Sequence, residues 1–360
     1  MLREYCRVSG YLISFLFVVT WSCENDPVDI VGFNFRGSTG LFIINEGNYN
    51  MDNASLSFYE FSSKRVYNQI FFATNETPLG DIAQSMIIHN NIGYIVINNS
   101  GKIYAIDPDD ASFLGKITGL VSPRHMLFVS DTKAYISDLY SRKIYIYGTL
   151  SDEIIGEIDV NNHNPFNQHS TERLVRYMNL VFAACWSYDN YVLVIDIDND
   201  QIIDSIEVTT QPNSLILDHN NKLWVLSDGG FAGSSFGQEK GALTRIDPES
   251  RRIESIIPFT TMNESPFDLQ INKSGNTLFF INDGIFKMSV QETDIPSIPF
   301  IPESGRNFYS LGINPVNSDI YVGDAIDFQQ NGIVYRFNDT GSLIDSFKVG
   351  INPGAFCFKP

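Results

Sequence analysis

Positive charge is scarce in this chain of 360 residues: 24 Lys and Arg stand against 42 Asp and Glu, for a formal net charge of −18. A surface that acidic repels phosphate backbones, so no nucleic acid is expected as a partner. Charge of either sign is sparse, at 18% of residues, whereas 43% are hydrophobic, which removes the chain from the disordered class. There are only four cysteines, and none has the paired spacing of a zinc site. The apolar run at residues 11–19 falls well short of the ~20 residues a permanent membrane helix needs. The glycines between 229 and 237 precede no helix, so they make a long flexible loop, not a phosphate cradle. What the chain does have is aromatic residues, 13% of the total, with 27 Phe and 17 Tyr, and these favour strands.

The N-terminus reads as an address. Arg3 and Arg7 precede the apolar run, which ends in Thr20-Trp21-Ser22-Cys23. A basic start, a short apolar centre and a small residue at the cut describe a secretory signal over residues 1–22. Ser22-Cys23 resembles the looser lipoboxes of Bacteroidetes, in which the cysteine becomes the lipidated first residue. The acidic stretch 24–29 (ENDPVD) resembles the export signal that carries such lipoproteins to the outer face of the outer membrane. The expectation is an outer-membrane lipoprotein, held at the cell surface by lipid on Cys23, with residues 23–39 as an acidic tether reaching ~20 Å. An ordinary signal peptide with an incidental cysteine is the alternative. Cys6 leaves with the signal, while Cys185 and Cys357 sit in apolar strand patterns and are expected as buried free thiols.

From residue 40 onward one unit repeats. Each copy has an apolar strand, an alternating strand, a third strand rich in aromatics and an outer fourth strand, as in residues 79–119 and 120–160. The ends of the third strands, at Glu60, Asp107, Gly148, Asp196, Asp247, Ser289 and Asn338, recur every 41 to 51 residues. That period predicts an all-β fold, a seven-bladed β-propeller of four-stranded blades, and no helical periodicity interrupts it. Residues 41–70 hold three strands with nothing before them, and 353–358 hold one with nothing after it. Pairing of these N- and C-terminal strands closes the ring.

Loops that precede a first strand or follow a second strand gather on one face around the central channel. Aromatics set in polar loops there are read as an exposed stacking platform: Tyr49, Tyr140, Trp186, Tyr188, Phe231, Phe236, Phe308 and Phe328. Asn98, Arg124, Asp138, Arg306 and Asp324 add polar groups to this candidate ligand-binding face. The alternative is that the rings only plug the channel. Asp196-Ile197-Asp198-Asn199-Asp200 begins like a calcium loop, but Gln201 stands where that loop needs its Gly, and the stretch falls at a hairpin turn. His163 and His169 read as a solvated Asn-rich loop. No catalytic residue, metal or cofactor is expected.

The segments LFIINEGNYNMDNASLSFY, PLGDIAQSM, SPRHMLFV, CWSYDN, QPNSLILD, LWVLSDGG and NPGAFCF resemble the YVTN-type (YncE-like) surface propellers. They are more similar to a propeller family of Bacteroidetes lipoproteins. One branch of that family captures cobamides and caps the TonB-dependent cobalamin receptor. The resemblance implies a non-enzymatic binder of a small-molecule ligand, with a cobamide as candidate and a TonB-dependent outer-membrane receptor as partner. A scaffold or adhesion propeller binding protein or glycan, and a lactonase-like enzyme, are the competing readings.

Overall fold

Along the second strand of each repeat, successive apolar side chains point to opposite sides, and in the computed structural model both sides meet a neighbouring blade. The structure describes residues 32–162 and 169–360. Seven four-stranded antiparallel sheets form a ring, a seven-bladed β-propeller. Blade 2 shows the plan from axis to rim: Ala83–His89, Ile92–Ile97, Lys102–Ile106 and Phe113–Ile117. The inner strands of blades 3 to 7 are Pro123–Ser130, Thr171–Tyr177, Pro212–Leu217, Phe267–Ile271 and Phe308–Ile313. In blade 1, Phe42 and Ile44 pack with Ala83, Ile95 and Ile97 of blade 2. Leu41 and Ile43, one residue out of phase, pack with Tyr321 and Val334 of blade 7. A core cluster of this kind lies at each of the seven blade interfaces. Each fully buried Val, Leu, Ile or Phe contributes about 1.5–3 kcal/mol, so the ring is held by its interfaces and not by any single blade.

Closure follows the expected route. The strand Pro353–Lys359 pairs antiparallel with Gly40–Asn45, from Gly40↔Lys359 to Asn45↔Pro353, with a one-residue slip at Gly354. Two backbone bonds extend the seam, from Glu46 N–H to Asn352 O and from Gly47 N–H to Ile351 O. Cys185 and Cys357 are buried free thiols.

Two features depart from the repeat pattern. The fourth strand of blade 1 ends at Tyr67, and a helix, Ile70–Asn75, replaces its continuation. Gln69 turns left-handed at φ 53°, and Ile70, Phe71 and Ala73 then bury against the interface with blade 2. Six residues are too few to show helical periodicity, which is why the sequence reads as strand there. The packed body also begins earlier than residue 40. Phe35, placed in the tether by the sequence, is 2% exposed and lies against Phe58 with ring centroids 4.3 Å apart. The segment 1–22 and Cys23 lie outside the described residues. Among those described, no helix is long and apolar enough to cross a membrane.

Candidate functional site

The inner strands surround the axis, each touching the inner strands of its two neighbours. Every one of them carries a β-bulge at its start. Register slips by one residue at Gly354, Gln84, Arg124, Glu172, Asn213, Asp268 and Tyr309 in blades 1 to 7. A bulge bends its strand and re-aims the extra side chain, so seven of them at one level build a ring at the channel mouth. Six of these positions are polar. The seventh, Gly354, is covered from the next strand: a Cβ there would overlap Glu46 Oε1, so glycine makes room for the Glu46 carboxylate.

These side chains bond to one another. Arg124 Nε donates to Glu172 Oε2 at 2.6 Å, and its Nη1 donates to Gln84 Oε1 at 2.6 Å, linking blades 2, 3 and 4. His125 Nε2 meets Glu172 Oε1 at 3.1 Å. Tyr309 donates to Glu46 Oε2 at 2.6 Å, linking blades 7 and 1. Arg173 of blade 4 approaches Asp268 of blade 6 at 3.5 Å, passing over blade 5. Beneath lies a cavity of about 400 Å³ whose lining includes His125, Arg173, Asp268, Met86 and Phe356. The mouth is therefore a polar lid over a mixed, partly apolar channel.

Burial drives Glu172 upward, but the Arg124 charge and the His125 bond outweigh it and hold the carboxyl at about 2. Burial and the Arg173 charge press His125 down to about 4. A neutral imidazole facing an ionised carboxylate carries its proton on Nε2 and donates it. Glu46 and Asp268 move the opposite way. Burial raises both, against the Tyr309 bond and Arg124 for Glu46 and against Arg173 for Asp268.

Around this lid the expected aromatics divide. Tyr49, at 67% exposed, and Tyr140, at 57%, stand out into solvent, as do Phe231 and Phe328. Trp186 is half-buried: its indole N–H donates to Asp228 Oδ2 at 3.1 Å, and the Arg124 guanidinium lies 5.8 Å from its ring. Tyr188 meets Phe231 edge-on at 6.1 Å, which joins the platforms of blades 4 and 5. Phe236 is half-buried.

Phe308 does not belong to the platform. It is 3% exposed in the core between blades 6 and 7, and its neighbour Tyr309 faces the channel instead. Arg306 stacks on the Tyr335 ring at 4.4 Å, drawn toward the third strand of blade 7. Asp138 and Asp324 are buried staples rather than open ligand groups. Asp138 Oδ2 accepts the N–H groups of Val121 and Ser122, and its Oδ1 accepts those of Tyr140 and Ser141. Asp324 Oδ1 likewise accepts from Asn307 and Ile326. Asn98 Nδ2 donates to Ser122 Oγ and Pro123 O, fastening blade 2 to blade 3.

The stretch from Asp228 to Lys240, expected as a flexible loop, is also fastened. Glu239 N–H bonds to Gly229 O, and the Glu239 carboxylate accepts from Thr210. Gly229 holds φ +84°, and a Cβ there would strike the Glu239 carbonyl. His169 is not solvated. Its side chain is 12% exposed and Nδ1 sits 2.7 Å from Asp189 Oδ2. His163 lies outside the described residues. The 196–200 stretch is a hairpin turn, with Asp200 bonded to Lys133 and Tyr135.

Residues 39–358 match the model of the family described as Domain of unknown function (DUF5074). The chain belongs to this family. No curated protein sequence matches it. Among solved structures, this DUF5074 propeller is similar to a quinonprotein alcohol dehydrogenase-like protein from Bacteroides thetaiotaomicron, with TM-score 0.68 and 16% identity over 90% of this chain and 79% of that one. It is also similar to the periplasmic gluconolactonase of Pseudomonas aeruginosa, with TM-score 0.67 and 12% identity over 89% and 99%. Virginiamycin B lyase of Staphylococcus aureus follows at TM-score 0.57 and 15% identity over 75% and 85%. Likenesses at these identities establish the propeller fold and nothing finer.

Proposed function

We propose that this propeller binds a broad small molecule on its loop face without transforming it. The observation that carries this reading is the set of exposed rings of Tyr49, Tyr140, Phe231 and Phe328, which rise from polar loops around a lid whose charged groups are bonded among themselves. Rings with no strand to pack in offer stacking area at low entropic cost, and the surrounding amides and carboxylates supply orientation. The lid carboxylate Glu172 is bonded to both Arg124 and His125, which supports binding over chemistry at the mouth.

A cobamide suits such a face. Its corrin ring is broad and its amide arms and nucleotide tail call for stacking and hydrogen bonds rather than a deep pocket. In this reading a lipid on Cys23 holds the propeller at the outer membrane surface, where it passes the ligand to a TonB-dependent receptor. Of the tryptophans in the described part of the chain, Trp186 lies on the face and Trp224 is fully buried in the core. Cyanocobalamin absorbs where tryptophan emits, so saturable quenching is expected, and Trp186→Phe should remove its larger part. Absence of quenching, or quenching untouched by Trp186→Phe, would overturn the assignment.

A further inference from the structure

Blade 4 carries a cluster that ligand stacking leaves unused. His169 precedes the inner strand, Cys185 ends the second strand Leu180–Cys185, and Asp189 lies in the loop that follows. One donor atom from each lies within 4.8 Å of the other two. Cys185 is fully buried, and the Asp189 and His169 side chains are 1% and 12% exposed.

A buried thiol alone is a small hydrophobe, and a His–Asp contact alone is an ordinary hydrogen bond. Here the three converge on one point from fixed mounts. The His169 N–H bonds to Val160 O at the end of blade 3, Cys185 pairs with Thr171, and Asp189 O accepts the Gln211 N–H at the entrance to blade 5. Asp189 Oδ1 is occupied by the Asn190 N–H at 2.8 Å, which leaves Oδ2 as the single oxygen aimed at the cluster.

We propose that His169, Cys185 and Asp189 form a zinc(II) site, with three protein ligands and a fourth position for water. Sulfur with imidazole and one carboxylate oxygen favours zinc over the all-oxygen cations magnesium and calcium. Zinc bonds of about 2.0–2.3 Å place tetrahedral donors ~3.5 Å apart. The His169–Asp189 contact of 2.7 Å must therefore open slightly, and donors up to 4.8 Å apart must close by about 1 Å. Binding releases the Cys185 thiol proton to solvent, and an imidazole that ligates through Nδ1 keeps its one proton on Nε2. The bound ion would clamp the loop bearing Trp186 and Tyr188 to the ends of blades 3 and 5, so it orders the platform whatever ligand sits there.

Cobalt(II) added to the full chain provides the test. A near-ultraviolet thiolate-to-cobalt charge-transfer band is expected, with intense visible bands of a four-coordinate ion, both bleached by one equivalent of zinc. Cys185→Ser should abolish the charge-transfer band, and Cys357→Ser should keep it. His169→Gln, with folding checked by circular dichroism, should weaken zinc at least tenfold in chelator competition. That variant decides the matter if the serine variant does not fold. A missing band, a band that survives Cys185→Ser, or unchanged zinc affinity in His169→Gln would each overturn the site.

Discussion

Removing the Arg124 guanidinium should unbalance the channel lid. The Arg124 side chain is 14% exposed and that of Glu172 is 7% exposed, so their 2.6 Å contact is an interior ion pair. Arg124→Met preserves length and apolar stem but leaves Glu172 with His125 as its remaining lid partner. Orphaning one member of a buried pair costs about 3–5 kcal/mol, because the remaining charge keeps its desolvation penalty. With unfolding entropy of roughly 2.1 cal/mol/K per residue, a propeller of this size loses about 4–7 °C in Tm. Two signatures separate this from generic damage. Adding Glu172→Gln to Arg124→Met should recover about 2 kcal/mol or more, since a neutral pair has no orphaned charge. The deficit of the single variant should also shrink in acid, as Glu172 takes up a proton. Urea unfolding and calorimetry at pH 7 and pH 4 measure both. A single variant within about 1 kcal/mol of the parent at pH 7, or a double variant that is simply additive, would refute the reasoning.

Deleting residues 353–360 removes the partner of Gly40–Asn45 and the packing of Phe356, Cys357 and Phe358. The expected loss is at least ~6 kcal/mol, or about 9 °C and a broadened transition, and a variant melting like the parent would contradict closure. His125, pressed down to about 4, stays neutral in the fold while the unfolded chain takes a proton. Its contribution is therefore complete above the ordinary histidine value and is lost as pH falls through the window from about 6.5 to 4. The parent should lose more stability across that window than His125→Gln, and equal losses would exclude the group. Two glycine variants should differ: Gly229→Ala meets backbone at φ +84° and costs ~1–3 kcal/mol. Gly354→Ala meets the Glu46 side chain from Cγ to Oε1 and no backbone, so it should cost less than Gly229→Ala while displacing Glu46 and breaking its bond to Tyr309, read by urea midpoints and the tyrosine titration.

The blades and their closing strand were legible because the second strands bury both faces, so apolar residues such as Leu41 to Ile44 run on without interruption. The lid was not legible, because it depends on register. Adjacent strand residues face opposite sides, and a one-residue slip exchanges Phe308 for Tyr309. In blade 6 the bulge falls on Asp268 at φ 53°, one residue past the position that alignment of Pro266 with Pro212 suggests. Asp138 and Asp324 have the composition of ligand groups, and only the positions of nearby backbone N–H groups reveal them as staples. Glu46 escaped notice because it reaches the lid from a second strand, through the gap left by Gly354. A column of polar residues near the start of otherwise apolar inner strands, Gln84, Arg124, Glu172 and Asn213, was the available signal.

The central claim is that the loop face holds a small molecule, and calorimetric titration of the full chain with cyanocobalamin tests it most directly. Binding at one equivalent with micromolar or tighter affinity is the predicted result. It should be weakened at least tenfold by Tyr140→Ala with Phe231→Ala, and unaffected by Leu150→Ala at an exposed hairpin turn on the opposite face. No heat at micromolar protein, or binding indifferent to the two face residues, would contradict the account.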